Sequence, residues 1–225
     1  MRTLRKILFY SSLLLLMCLS ILFMLSQTNW GRDYLKKNLV KQMNKLFLAE
    51  VKIGTLQGNL LEQIELNDVE FMIDNDEIIS IGRVYISYDL SGLFHRELLI
   101  RSLLIDSLYF HFKQGLDQAW NWAGILQTDG DGSEENNQKS PWKINLRDLL
   151  LNGSGRVEPL QEYPFFPLEI SSFSLRGAFT LSDGGYEFNL RINEFITDQP
   201  DLGLQNISID ASSGGSIVIK SGSLR

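Results

Sequence analysis

The 225-residue chain holds one cysteine, two histidines and five prolines, and it has no surplus of basic residues. Each shortage removes a class of function. Cys18 has no second cysteine to pair with, so there is neither a disulfide framework nor a cysteine-based metal site. His95 and His111 lack the clustered cysteine or carboxylate neighbours that a zinc site needs. No G-x-S-x-G elbow, phosphate loop or G-x-G-x-x-G turn occurs. The carboxylates are scattered through turns and polar strand faces, where solvation accounts for them. The sequence therefore predicts no enzyme, no cofactor and no metal. The first fifty residues carry eight basic and two acidic side chains, so a net charge of −6 for the whole chain leaves −12 on the rest. A nucleic-acid-binding body needs a basic stripe, and this acidic body is expected to bind none.

What the chain does have is an unbroken apolar run. Residues 7–25 contain no charge and follow Arg2, Arg5 and Lys6. As a helix the run is about 28 Å long, close to the ~30 Å hydrocarbon core of a bilayer. It closes as Phe23-Met24-Leu25-Ser26-Gln27, without the small residues of a signal-peptidase site. Cys18 sits in mid-run behind Leu16-Met17, where lipoprotein processing expects a small residue. An uncleaved signal-anchor over residues 1–27 is the expectation, with a cleaved signal or a buried soluble-core helix as alternatives. The basic flank puts the N-terminus in the cytoplasm and the body across the membrane.

Residues 28–48 turn amphipathic. Trp30, Tyr34, Leu35, Leu39, Met43, Leu46 and Phe47 recur at helical spacing, with Lys36, Lys37, Lys41 and Lys45 between them. Such a helix either lies on the headgroups, with Trp30 and Tyr34 at the interface, or plugs the end of a following sheet, and both can hold at once. From residue 49 strand signals take over. Glu187-Phe188-Asn189-Leu190-Arg191-Ile192-Asn193 alternates without a fault, and so do the stretches around Val84-Tyr85-Ile86 and Phe110-His111-Phe112. Gly-Asn, Asp-Asn-Asp and Asp-Gly-Gly clusters separate these runs, and Asp183-Gly184-Gly185 reads as a hairpin turn.

The strands repeat. Ile64-Glu-Leu66-Asn-Asp68-Val69-Glu-Phe71 returns as Ile144-Asn-Leu146-Arg-Asp148-Leu149-Leu-Leu151. Ile100-Arg-Ser102-Leu103-Leu-Ile105 returns as Ile170-Ser-Ser172-Phe173-Ser-Leu175 and as Leu204-Gln-Asn206-Ile207-Ser-Ile209. Units of this kind bury one face each and need neighbours to complete a core. Residues 127–141 are acidic and Gly-containing and read as a flexible loop. Their spacing departs from a calcium loop, with Glu134 where glycine is required. The loop separates a first β segment, residues 49–126 with a short helix near 116–126, from a second, residues 142–225. The fold class expected is mainly β: a transmembrane helix and an amphipathic helix, then an elongated, curved, groove-like antiparallel or mixed sheet of short repeats. Val84, Ile86, Phe110, Phe112, Phe173, Leu175, Phe188, Leu190 and Ile192 are expected to line its interior. Packing of the same residues in a closed sandwich is the competing reading.

The order of these features resembles the N-terminal portion of the TamB family, within the AsmA-like repeating-β-groove group. The residues that carry the likeness are Trp30-Gly31-Arg32 opening a helix, Val51-Lys-Ile53-Gly54-x-Leu56-x-Gly58, Ile64-x-Leu66-x-Asp68-Val69-x-Phe71, Ile81-x-x-Val84-x-Ile86-x-Tyr88-Asp89-Leu90, Leu98-x-Ile100-x-Ser102-Leu103-x-Ile105 and Trp120-Asn121-Trp122. The likeness covers residues 1–125 and extends over 142–225 in general style. It implies a single-pass inner-membrane protein with its body in the periplasm. It also implies a β-groove that carries phospholipid between the inner and outer membranes, and help in inserting outer-membrane proteins with a partner barrel. Members of that family are much longer, so a fragment or a truncated member is expected. Three functions stay open: a lipid-conducting groove, an assembly factor whose open sheet edge pairs with client strands, and a membrane-tethered scaffold.

Overall fold

The computed structural model describes residues 28–125, 142–160, 167–182, 185–198, 204–212 and 217–220, together with Met17. The expected anchor, Arg2, Arg5 and Lys6 in its flank, and the acidic loop lie outside the described residues, Met17 excepted. Among the described residues no helix is long and apolar enough to cross a membrane.

Helix α1 spans Asn29–Leu46, and the Thr28 hydroxyl caps it by accepting the Gly31 N–H at 3.2 Å. Its Leu39, Val40 and Met43, with Phe47 just beyond, share one helical face. They pack on Ala49, Val51, Ile53, Leu56, Leu66, Val69 and Phe71, the buried core of the molecule. Phe47 meets Phe71 edge-on, with ring centroids 5.4 Å apart. The helix thus closes one end of the sheet. Its Trp30, Tyr34, Leu35 and Leu46 take no part and stay exposed.

Among the described residues nine strands follow: β1 Glu50–Gln57, β2 Gln63–Ile73, β3 Asp76–Asp89, β4 Glu97–Lys113, β5 Lys143–Glu158, β6 Leu168–Ser182, β7 Gly185–Thr197, β8 Leu204–Ser212 and β9 Ile217–Lys220. They form one open, mixed sheet in sequence order. Every neighbouring pair is antiparallel except β4–β5, which is parallel. The two β segments on either side of the acidic loop are therefore halves of one sheet. The short helix expected near 116–126 is only a 3-10 turn, Asn121–Gly124, and a second such turn, Ser91–His95, joins β3 to β4. At the β2–β3 hairpin Asp74 and Asn75 have φ of 51° and 66°, the left-handed pair a two-residue primed turn demands and Asp and Asn tolerate. Ser182 pairs with Gly185 across the expected β6–β7 hairpin.

Strict alternation would not keep the apolar residues together, and the strands solve this with a shared slip. Ile53 and Leu56 are both buried on β1, as are Leu66 and Val69 on β2, although each pair is three residues apart. The slip is at Gly54, Asp68, Gly82 and Ser107, which fall opposite one another across β1 to β4 by the pairing register. Asp68 and Ser107 have φ of 56°. A Cβ on Gly54 would sit 2.9 Å from Asp68 Cβ, and one on Gly82 would sit 2.9 Å from Ser107 Cβ. The left-handed residue swings its side chain over the adjacent strand, and only glycine leaves room for it. Such irregularities increase local strand twist.

Candidate functional site

Directly opposed residues of neighbouring strands share a face, so the register can be followed outward from the core. One row runs Leu56, Leu66, Val84, Ile105, Leu151, Leu175, Ile192 across β1 to β7. A second runs Ile64, Ile86, Leu103, Leu149, Gly177, Leu190 from β2 to β7. A third runs Val69, Ile81, Leu108, Gly153, Phe173, Phe195. Phe110 opposes Ile79 and Gly155, Phe112 opposes Val157, and Phe188 opposes Phe179. All nine residues named from the sequence as an interior lining thus lie on one face. Phe173 is buried and the other eight are half-buried. Helix α1 packs on the β1–β2 part of this face. Among the described residues no helix packs on it over β5 to β7.

Aromatic rings organise its middle. Phe110 and Phe112 of β4 stack at 4.6 Å, and Phe112 lies 6.4 Å from Trp122 of the 3-10 turn. Phe110 also lies 5.9 Å from Phe173, two strands away on β6. The strand between them supplies Gly153 and Gly155. A Cβ on Gly155 would fall 2.5–2.6 Å from three Phe110 ring carbons, and one on Gly153 would fall 2.8 Å from the Phe173 ring. The rings meet because β5 has no side chains at those two points. Sequence reasoning missed these glycines, and it named Trp122 only in the Trp120-Asn121-Trp122 motif and not as part of the lining. The readable signal was two glycines at i and i+2 inside a strand, which marks close approach to a backbone.

The opposite face is cross-linked by charge, with Leu99, Leu104 and Leu150 as apolar exceptions. Arg83 pairs with Asp106, Arg101 with Asp89 at 2.7 Å, Lys113 with Asp76, and Lys143 with Glu97 at 3.1 Å. His111 meets Glu158 at 3.2 Å, and Arg156 bridges Glu158 and Glu169. The Asp89 carboxylate accepts from the Ser91 side chain and backbone and from Arg101, which together hold its pKa well below the usual range. Lys113 does the same for Asp76, and His111, then Arg156, for Glu158. Arg147, Arg176 and Arg191 border a shallow depression of about 480 Å³ on this face. Asp148 neutralises Arg176 there at 2.8 and 3.2 Å. His95 and His111 lie on different elements, and no cluster of three or more His, Cys, Asp or Glu that suits a metal occurs among the described residues.

The two edges of the sheet differ. Asn44 Oδ1 of α1 accepts the Val51 N–H of β1 at 2.8 Å, and Lys36 Nζ donates to the Gly54 carbonyl at 2.8 Å. The helix therefore occupies the β1 edge. At the other side, among the described residues, β9 pairs with β8 alone. No protein-family model matches the chain, and no curated protein matches it significantly.

Proposed function

We propose that the chain is an inner-membrane-anchored periplasmic protein whose concave apolar face carries phospholipid acyl chains toward the outer membrane, working alongside an outer-membrane barrel. One observation carries this reading: apolar rows cross the sheet from β1 to β7 on one face only. The other face carries the ion pairs, and no apolar row crosses it from edge to edge. Strands two apart are about 9.6 Å apart in a flat sheet, yet Phe110 and Phe173 touch over β5. The rings lean toward each other across the bare glycines of β5, which keeps the apolar face continuous from β4 to β6.

An apolar face of this extent is unstable in water unless something covers it. Acyl chains suit it, because each methylene transferred from water contributes about 0.8 kcal/mol and demands no directional partner. Headgroups would stay at the open rim in solvent. Helix α1 seals the β1 side of the groove, which leaves β5 to β7 as its accessible part.

The test is a photo-crosslinking amino acid at Phe188 in cells, with Asn189 on the opposite face as control. Phospholipid adducts at 188 and none at 189 support the groove. Adducts to polypeptide alone, or none at either site, turn the reading to client-strand assembly or a scaffold. Phe188→Asp and Leu190→Arg should abolish the lipid adducts at a neighbouring groove position such as Ile192 while the protein remains in the membrane fraction.

A further inference from the structure

Exposed apolar side chains occur at both ends of the sheet, Leu48, Leu116 and Leu160 at one and Leu61, Leu93, Phe94 and Trp142 at the other, and it is the second set that lies where the chain approaches its expected anchor. Helix α1 runs antiparallel to β1, since Asn44 contacts Val51 and Lys36 contacts Gly54. Its N-terminal end, with Trp30 and Tyr34 stacked at 6.1 Å and both exposed, therefore points to the end of the sheet where β1 finishes. The β1–β2 connection lies there, as do the β3–β4 turn and the start of β5. They are joined through the Tyr88 N–H to the Glu62 carbonyl at 2.9 Å and the Lys143 N–H to the Arg96 carbonyl at 2.9 Å. Leu61, Leu93, Phe94 and Trp142 are exposed on these segments, and Phe94 is 94% exposed.

Phe94 is not on a loose tip. Its 3-10 turn is held by Leu93 N–H to Leu90 O at 3.1 Å and Arg96 N–H to Leu93 O at 3.0 Å. Asp89 accepts the Ser91 N–H at 2.9 Å and binds Arg101. A left-handed Arg96, φ 58°, closes the turn. The backbone thus fixes an aromatic ring pointing away from the protein, which is unfavourable in water and favourable at the boundary of headgroups and acyl chains. Arg96 beside it suits an anionic lipid surface.

We infer that the β3–β4 turn, led by Phe94 and Leu93 with Leu61 and Trp142 beside it, inserts into the outer leaflet of the same bilayer that holds the anchor and seats the mouth of the groove there. This rests on the anchor and groove reading above. It adds a second, loop-borne membrane contact that would keep the mouth from swinging free on α1.

The test uses the full chain, with Cys18→Ala, reconstituted in phosphatidylethanolamine–phosphatidylglycerol liposomes. An environment-sensitive fluorophore is attached at Phe94→Cys or, as control, at Leu116→Cys, which is equally exposed at 92% but follows β4 at the opposite end of the sheet. Blue-shifted emission at 94, quenched by spin-labelled lipid, with a water-like and unquenched signal at 116, is the expected result. Water-like emission at both sites in protein that floats with the liposomes overturns the insertion and leaves the anchor standing. Quenching at both sites overturns the end-specific seating. Protein that does not float overturns the anchor reading and this inference together.

Discussion

Alanine at Gly155 tests whether the aromatic bridge depends on the bare backbone beneath it. The new Cβ would lie 2.5–2.6 Å from Phe110 ring carbons, about 1 Å inside an ordinary carbon–carbon contact of roughly 3.5–4.0 Å. The ring has little room to retreat, with Phe112 stacked at 4.6 Å and Phe173 at 5.9 Å. Overpacking of this kind costs about 1–3 kcal/mol. Alanine also restricts the unfolded chain and recovers about 0.5–1 kcal/mol. The clash wins, and Gly155→Ala should destabilise by about 1–2 kcal/mol. Phe110→Ala alone should cost less than the ~3–5 kcal/mol of a fully buried ring, because Phe110 is half-buried. In the double variant the methyl group meets no ring, so the two losses should fall short of their sum by at least about 1 kcal/mol. Urea unfolding of the detergent-solubilised chain, followed by the strand signal in circular dichroism, measures all four corners of the cycle. A neutral or stabilising Gly155→Ala, with losses that add within about 0.5 kcal/mol, would refute the claim that this glycine exists to admit Phe110.

The left-handed row makes a second prediction. Ser107→Gly should be neutral or slightly stabilising and Ser107→Val should cost about 1–2 kcal/mol, read as shifts in the same urea midpoint. Acid should weaken the fold through its polar face. Asp76, Asp89 and Glu158 are held below ordinary carboxylate values, so their contribution is present at neutral pH and is lost as pH falls through those lowered values. Melting temperatures should therefore drop below about pH 4, and Asp89→Asn should flatten part of that drop. Finally, Val40→Asp puts a charge into the α1–sheet contact and should cost at least about 2 kcal/mol, with faster hydrogen exchange at the Val51 amide as the local sign.

Parts of this architecture could be read directly. The faultless alternation of residues 187–193 put Phe188, Leu190 and Ile192 on one face, and the register agrees. The repeated motifs were visible too, and the structure supplies their meaning. In Ile64-x-Leu66-x-Asp68-Val69-x-Phe71 the residues at the first, third, sixth and eighth positions share a face because the strand slips at Asp68. Ile144, Leu146, Leu149 and Leu151 repeat the slip on β5. A period-two rule cannot foresee this, since nothing in an aspartate or a serine announces a positive φ within a strand. The parallel β4–β5 seam was equally hidden, because pairing partners are long-range. The 127–141 loop was its one clue, since parallel neighbours need a crossover. The helix expected near 116–126 gives way to a single turn, with Gly115, Asp117 and Gly124 all weak helix formers inside a short window.

The capped β1 edge has a consequence for self-association. A sheet with two free edges can stack copies end to end without limit, as fibres do. Here Asn44 and Lys36 already satisfy two backbone groups of β1, which leaves fewer of them for a strand from another copy. Strand addition on that side must first displace α1, which makes the helix a built-in guard of the β1 edge against amyloid-like growth.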